Sequence, residues 1–180
     1  MKKNNKYKNK GILFWITGLS GSGKTSLAKK VLPIVKKKYG PTIHLDGDIL
    51  RKILNLNGYS YKERLSNTKI YNRILKVLTE QNINVIISLV GLMQTPRSWN
   101  RKYIRKYIEI YIKSEVKKII QKDRKKIYKK NKNVVGVNIK PEFPKSPDIT
   151  IDNKFNKNLD YLKLELLDKI SIIVNKKKYY

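Results

Sequence analysis

The stretch ITGLSGSGKTSLAKK, residues 16–30, places three glycines and a lysine between an apolar run and a segment with helical spacing. Its centre, GLSGSGKT at 18–25, fits the pattern G-x-x-x-x-G-K-[ST], in which glycines let successive backbone N–H groups turn inward onto a phosphate. The motif requires a strand before it and a helix after it, and the flanking residues predict both. The stretch therefore predicts a site for a nucleoside triphosphate, with ATP as the donor and Mg²⁺ as its metal.

The loop and the start of the following helix carry the expected ATP contacts. Lys24 is expected to reach the β- and γ-phosphates, and the Thr25 hydroxyl is expected to ligate Mg²⁺. The helix that begins near Lys24 adds the positive end of its dipole to the same phosphates. The predicted ATP-binding residues are Gly18, Leu19, Ser20, Gly21, Ser22, Gly23, Lys24, Thr25 and Ser26.

Apolar runs alternate with helical patterns along the rest of the chain. The predicted strands are residues 11–17, 42–46, 84–90, 107–112 and 148–152. The predicted helices are residues 25–38, 48–58, 61–81 after a Ser60 cap, 99–106, a segment capped by Ser114, and 159–174. Strands that alternate with helices indicate an α/β fold of the P-loop NTPase type. This fold is a three-layer sandwich whose parallel five-stranded sheet carries helices on both faces.

Residues 1–180 are predicted to form a single P-loop kinase domain, because no repeat or linker divides the chain. Within it, residues 1–10 form a basic, flexible N-terminus and residues 122–146 form a basic lid. Lids of this kind neutralise the phosphoryl group in transfer and exclude water. The sequence lacks the motifs that accompany the glycine loop in GTPases and motor ATPases, so a small-molecule kinase is favoured. Polar segments follow the strands, and ligands of such sheets bind where the carboxyl ends of the strands meet.

The charge is strongly positive, with 42 Lys and Arg against 13 Asp and Glu and a net charge of +29. A nucleic-acid-binding ATPase is one interpretation of this charge. The lysines are spread over all segments without forming a stripe, which favours a compositional bias instead. Nucleic acid is therefore not an expected partner.

The chain has no cysteine, which excludes disulfides and thiolate metal sites. The basic N-terminal residues lead into a short apolar run that is neither a secretory signal nor a membrane span. A cytoplasmic protein without a membrane partner is expected.

Two aspartates follow the second predicted strand, in LDGDILRKIL at 45–54. A carboxylate beside a phosphate loop is able to orient or deprotonate an attacking hydroxyl, and either Asp46 or Asp48 is placed to hold Mg²⁺ through water. Asp48 also suits a helix cap, which is the structural interpretation of the same residue. Arg51 lies one helical turn further on and is expected to face a bound anion.

The motifs GLSGSGKTS, LDGD-x-x-R, GYS-x-x-ER-x-x-N and KD-x-K-x-x-Y stand in the order seen in adenylylsulfate kinases, and the chain resembles this family over residues 11–153. The resemblance implies transfer of the γ-phosphoryl group of MgATP to the ribose 3′-hydroxyl of adenylyl sulfate. This reaction yields PAPS in sulfate activation. It also implies a homodimer.

The resemblance assigns roles to individual residues. Asp48 matches the catalytic base, which with Lys24 forms the predicted catalytic pair, and Asp48 and Thr25 are the predicted metal ligands. Tyr59 matches an aromatic residue that stacks on the acceptor base, and Asp123 matches the start of the lid. The predicted acceptor-binding residues are Asp46, Arg51, Tyr59, Arg64, Asn67, Val90 and Lys125.

The chain departs from the family pattern in two places. It reads LVGL at 89–92 where the family has F-I-S-P, so a phosphoserine step at Gly91 is impossible and direct transfer remains. It reads VVGV at 134–137 where the family has F-T-G-I, so a second aromatic wall for the base is lost. The VVGV run resembles a branch found with surface-polysaccharide pathways, in which a relative phosphorylates cytidine diphosphoramidate. The predicted acceptor is therefore adenylyl sulfate, with that nucleotide as the alternative.

Overall fold

Five parallel strands form one sheet in the computed structural model, which describes residues 10–122 and 133–179. The strands are β1 (Leu13–Thr17), β2 (Thr42–Asp46), β3 (Asn84–Ser88), β4 (Tyr107–Lys113) and β5 (Ile149–Asp152). The helices are α1 (Lys24–Tyr39), α2 (Gly47–Ile53), α3 (Tyr61–Glu80), α4 (Gln94–Tyr103), α5 (Val116–Gln121) and α6 (Leu159–Lys176). The predicted α/β sandwich is confirmed.

The strand order β2-β3-β1-β4-β5 places β1 at the centre of the sheet. Ile16 of β1 lies beside Ser88 of β3 on one side and beside Ile110 of β4 on the other. Every residue of β1 and β3 is buried, as expected for parallel strands that are covered on both faces. The chain changes direction across the sheet next to β1, and such a point opens a ligand crevice at the carboxyl ends of the strands.

A separate apolar core covers each face of the sheet. On one face α1 packs against α6, through residues that recur every three or four positions. These residues are Leu27, Val31, Val35, Leu162, Leu166, Ile170 and Val174. On the other face Tyr71 and Leu75 of α3 pack against Trp15 and Ile87 of the sheet. This second core holds α3 in the position from which it reaches the ligand crevice.

Two helices, α2 and α4, differ from the predicted bounds by more than two residues. α2 ends at Ile53 rather than at residue 58, because Asn55 adopts a left-handed φ of 51° and the Leu56 N–H turns back to the carbonyl oxygen of Arg51. α4 occupies Gln94–Tyr103 rather than residues 99–106. Its early start is compatible with Pro96, because a proline in the first helical turn removes no intrahelical hydrogen bond.

One of the two predicted serine caps is correct. Ser60 caps α3, since its hydroxyl accepts from the Glu63 N–H and the Glu63 carboxylate accepts from the Ser60 N–H. Ser114 is not the cap of α5, which begins at Val116 with Glu115 at the cap position. Ser114 is one residue too early to reach the first free N–H groups of that helix.

Some predicted features lie outside the described residues. They are the N-terminal residues 1–9 and the first part of the predicted lid, residues 123–132, which include Asp123 and Lys125. Among the residues that are described, no helix is both long and apolar enough to cross a membrane.

Candidate active site

The glycine loop between β1 and α1 has the backbone form that phosphate binding needs. Gly18, Gly21 and Gly23 have φ values of 153°, 78° and 92°, which side chains disfavour. A Cβ atom at Gly18 would lie 2.6 Å from the carbonyl oxygen of Ile112, so a larger residue does not fit. No side chain in the described part of the chain caps α1, which leaves its first N–H groups and its positive end to an anion.

A cavity of about 490 Å³ opens above this loop and is called the donor cavity. Six of the predicted ATP-binding residues line it: Ser20, Gly21, Gly23, Lys24, Thr25 and Ser26. Lys24 lies back across the loop, where its Nζ donates to the carbonyl oxygen of Leu19 at 2.6 Å. Asn153, which follows β5, donates to the carbonyl oxygen of Ser22 at 3.0 Å and so holds the loop from its other side. Gly18, Leu19 and Ser22 shape the loop without lining the cavity.

Asp46 links the end of β2 to the start of α1. Its Oδ2 accepts hydrogen bonds from the Thr25 hydroxyl at 2.7 Å and from the Ser88 hydroxyl at 3.1 Å. Its Oδ1 accepts from the backbone N–H groups of Asp48 and Ile49, so Asp46 is the cap of α2. Burial opposes the charged form of this carboxyl, but these hydrogen bonds outweigh it and the pKa of Asp46 lies below its ordinary value. Asp46 is therefore an ionised, structurally engaged carboxylate.

Asp48 has a different position from Asp46. It lies in the first turn of α2 rather than at the cap, so the capping interpretation of Asp48 is wrong. Its side chain is exposed and lines both the donor cavity and a second cavity beside it. A carboxylate at this boundary is placed to act on a group that enters from the second cavity toward the phosphates.

The second cavity is called the acceptor cavity and has a volume of about 50 Å³. Its side-chain lining includes Asp48, Arg51, Tyr61, Arg64, Tyr71 and Val135. Leu89 and Val90, which follow β3, line both cavities, so the predicted site residue Val90 lies between them. The volume is close to that of one or two water molecules, so a nucleotide requires the surrounding side chains to move apart.

Two arginines of the acceptor cavity are held close to one another. Arg51 donates to the carbonyl oxygen of Gly58 at 2.6 Å, and Arg64 donates to the carbonyl oxygens of Tyr59 at 2.8 Å and Asn133 at 3.0 Å. Burial lowers the pKa of Arg64, and the like charge of Arg51 lowers it further. An anion bound between two such guanidinium groups relieves their repulsion, so the pair suits a phosphate or sulfate.

The ring of Tyr59 packs against these two arginines, and Tyr59 does not line the acceptor cavity. Its ring lies 4.5 Å from the guanidinium carbon of Arg51 and 5.3 Å from that of Arg64, and the residue is 48% exposed. Tyr61 is the residue of this segment that lines the acceptor cavity, and its hydroxyl donates to Glu142 Oε1 at 3.0 Å. Asn67 is buried on α3, one turn before Tyr71. Base stacking by Tyr59 stays a prediction.

The loop after β3 leaves no room for a side chain at position 91. Gly91 has a φ of 46°, and a Cβ atom there would lie 2.9 Å from the indole of Trp15. The Thr17 hydroxyl donates to the carbonyl oxygen of Val90 and so ties this loop to the end of β1. The loop therefore brings backbone and apolar side chains to the boundary between the two cavities. Residue 91, a glycine, contributes no hydroxyl there.

The part of the predicted lid segment from residue 133 onward packs onto the same site. Val135 is 7% exposed, lines the acceptor cavity and contacts a cluster that includes Leu19 of the glycine loop and Leu92. Val134 is buried but does not line the cavity. The wall that this segment gives to the acceptor cavity is therefore aliphatic.

A buried ion pair supports the acceptor cavity from behind, and sequence patterns missed it. Arg97 Nε lies 3.1 Å from Glu109 Oε1, and both side chains are buried. The same guanidinium donates to the carbonyl oxygens of Gly91 at 3.3 Å and Glu142 at 2.8 Å. Glu142 in turn accepts from Tyr61 and from the Gln94 N–H. These contacts join the loop after β3 to the C-terminal part of the predicted lid segment.

The Mg²⁺ prediction was tested against the side chains of the site. No cluster of three His, Cys, Asp or Glu residues that suits a metal occurs in residues 10–122 or 133–179. Mg²⁺ commonly uses one or two protein ligands together with phosphate oxygens and water. The Thr25 hydroxyl gives its hydrogen to Asp46, so its lone pairs remain for a cation. The donor cavity therefore fits a Mg²⁺ that arrives with a nucleotide.

Comparison with known proteins places this site in a family. The family described as adenylylsulphate kinase matches residues 10–152. The cytidine diphosphoramidate kinase of Campylobacter jejuni is 35% identical over 174 residues, which cover 94% of this chain and 98% of that protein. The adenylyl-sulfate kinase of Halothermothrix orenii is 30% identical, with 85% of this chain and 90% of that protein covered.

Solved structures lead to the same family. The adenylylsulfate kinase of Mycobacterium tuberculosis, solved in complex with AMPPNP and adenylyl sulfate, superposes with a TM-score of 0.80 at 26% identity. The match covers 90% of this chain and 98% of that one. With the glycine loop and the family match over residues 10–152, these similarities show that the chain belongs to the adenylylsulfate kinase family and is an ATP-dependent kinase.

Proposed function

We propose that this kinase transfers the γ-phosphoryl group of ATP to a ribose hydroxyl of cytidine diphosphoramidate. The observation that carries this proposal is the aliphatic wall of the acceptor cavity at Val135, where residues 134–137 read VVGV. A pyrimidine offers a smaller face for stacking than a purine, so its binding depends less on an aromatic wall. The 35% identity with the Campylobacter jejuni kinase over nearly the whole of both chains supports the same acceptor.

The donor half of the reaction follows from the glycine loop. Its backbone N–H groups and the end of α1 bind the phosphates, and Lys24 leaves the Leu19 carbonyl oxygen to contact the β- and γ-phosphates. The Thr25 hydroxyl and the Asp48 carboxylate would hold Mg²⁺, which would neutralise charge on the phosphates. The ionised Asp46 keeps Thr25 oriented for this role.

The acceptor half follows from the boundary position of Asp48. Its carboxylate orients the ribose hydroxyl toward the γ-phosphate and accepts the proton of that hydroxyl. Arg51 and Arg64 hold the phosphate and amidate oxygens at a fixed distance from Asp48. Because residue 91 is a glycine, transfer is direct and passes through no phosphoserine at that position.

Adenylyl sulfate, which the sequence favoured, is the second candidate. Adenylyl sulfate carries a sulfate on its 5′-phosphate, in the position where cytidine diphosphoramidate carries its phosphoramidate. The Halothermothrix orenii relative is named for adenylyl sulfate. The arginine pair suits either group. A homodimer and a cytoplasmic location stay predictions, and sedimentation velocity tests the first of them.

The test is ADP release with each acceptor, with cytidine diphosphate and adenosine monophosphate as controls that lack the distinguishing groups. We expect kcat/KM for cytidine diphosphoramidate to exceed that for adenylyl sulfate by about tenfold or more. Mass spectrometry and ³¹P NMR of the product locate the new phosphate on the ribose. A higher kcat/KM for adenylyl sulfate would overturn the choice of acceptor and leave the reaction class in place.

A further inference from the structure

Three buried polar groups of α2 and α3, two helices that line the acceptor cavity, have no hydrogen-bond partner among residues 10–122 and 133–179. They are Arg51 Nε, Asn67 Nδ2 and the Tyr71 hydroxyl. Arg51 and Asn67 are predicted acceptor-binding residues, whereas no motif pointed to Tyr71. Buried polar groups are nearly always paired in folded proteins, because an unpaired group loses its hydrogen bonds to water without replacement. Two of these groups, on Arg51 and Tyr71, belong to residues that line one cavity, which indicates a ligand that supplies their partners, whereas Asn67 does not line it.

Tyr71 is the clearest of the three. The residue is 2% exposed and its ring packs in the apolar core with Trp15 and Leu75, so the ring has a fixed position. Its side chain nevertheless lines the acceptor cavity, next to Asp48 and Arg51. Because the ring is fixed, the buried hydroxyl has a fixed position on a residue that lines the cavity.

The charges around Tyr71 define what its hydroxyl meets. Burial raises the pKa of Tyr71, the charge of Arg51 opposes this rise and the charge of Asp48 adds to it. The hydroxyl is therefore neutral and keeps its proton for donation. It lies within electrostatic reach of both the carboxylate that orients the ribose hydroxyl and the guanidinium that holds an anion.

We propose that Tyr71 is a further acceptor-binding residue, whose hydroxyl donates a hydrogen bond to an oxygen of the sugar–phosphate part of the acceptor nucleotide. The inference rests on the proposed function, since it takes a nucleotide to be the acceptor. The oxygen lies between the ribose hydroxyl at Asp48 and the anion at Arg51. This part is common to cytidine diphosphoramidate and adenylyl sulfate, so the inference holds for either acceptor.

The substitution Tyr71→Phe tests this role because it removes the hydroxyl and keeps the ring. The matched control is Tyr107→Phe. Tyr107 is buried to a similar degree, but it does not line the acceptor cavity and its hydroxyl donates to Glu109 Oε2 at a distance of 3.3 Å. We expect Tyr71→Phe to lower kcat/KM for the acceptor about five- to twentyfold, through KM, with KM for ATP unchanged. The unfolding temperature of the nucleotide-free protein should stay equal or rise, because an unpaired buried hydroxyl is removed. Tyr107→Phe should instead lower the unfolding temperature, and its effect on the acceptor KM, which would act only indirectly through Glu109, should be smaller than that of Tyr71→Phe.

The outcomes separate this inference from the proposed function. An unchanged KM in Tyr71→Phe for the acceptor that the wild type uses would overturn the inference alone. A drop in the unfolding temperature equal to that of Tyr107→Phe would also overturn it, because the hydroxyl would then have a structural partner. A wild type that prefers adenylyl sulfate would overturn the proposed acceptor, while a raised KM for adenylyl sulfate in Tyr71→Phe would still support the inference. A wild type that phosphorylates no nucleotide would overturn both.

Discussion

The donor cavity and the acceptor cavity share Asp48, Leu89 and Val90 but are built in different ways. The donor cavity is wide, about 490 Å³, and six of its lining residues come from one continuous loop and the start of one helix. The acceptor cavity has about 50 Å³ and takes its lining from α2, α3, the loop after β3 and the C-terminal part of the predicted lid segment. Backbone geometry prepares the donor side before a ligand binds. Side chains from distant parts of the chain define the acceptor side, so substitutions there change the substrate without changing the fold.

The largest effect is expected at Asp48, the charged residue among those that the two cavities share. Asp48→Asn keeps the shape of the side chain and removes the charge that orients the ribose hydroxyl, so kcat should fall on the order of 10²–10⁴-fold. Binding of MgATP, measured by calorimetry, should change little. Asp160→Asn is the matched control, because Asp160 is an exposed carboxylate whose ion pair with Lys30 is remote from the site. A near-normal kcat in Asp48→Asn would move the catalytic role to Asp46.

Lys24→Ala affects the donor side alone. Loss of the ammonium removes charge stabilisation from the γ-phosphoryl group in the transition state, and kcat should fall on the order of 10²–10³-fold. KM for the acceptor should stay within about twofold, and circular dichroism should show an intact fold. Lys30→Ala, on the same helix, serves as the control. If Lys24→Ala kept more than about a tenth of kcat, the phosphate role of the loop would be contradicted.

Arg64→Ala tests the acceptor side alone. Its guanidinium makes charge-assisted hydrogen bonds to the acceptor anion, so KM for the acceptor should rise about 10- to 100-fold. KM for ATP should not change. Arg73→Ala removes an exposed arginine of α3 and should leave both constants as they are. An equal rise in both KM values would mean that the arginine supports the whole crevice rather than one half of it.

The same contrast explains what the sequence was able to predict. The glycine loop, the pair of aspartates and the capping box of Ser60 and Glu63 each lie within a few consecutive residues. Local sequence patterns were therefore enough to locate each of these features. The Tyr61–Glu142 bond joins residues 81 positions apart, and no local pattern marks either of them. Tyr71 looks like an ordinary core residue at helical spacing, and only the cavity next to its hydroxyl distinguishes it. Short-range chemistry was therefore predictable, and pairings made by the fold were not.

The smallest effect is expected at Tyr59, and it distinguishes two roles for that ring. A ring that stacks on the base should matter more for adenylyl sulfate than for cytidine diphosphoramidate, because a purine offers the larger face. A ring that braces Arg51 and Arg64, as its distances of 4.5 and 5.3 Å favour, should matter equally for both, because both present an anion to the arginines. For Tyr59→Leu we expect a two- to fivefold rise in KM for each acceptor, roughly the value of a partly exposed cation–π contact. Tyr59→Phe keeps the ring and should match the wild type. A loss confined to adenylyl sulfate would restore the stacking role and place the acceptor base beside α3.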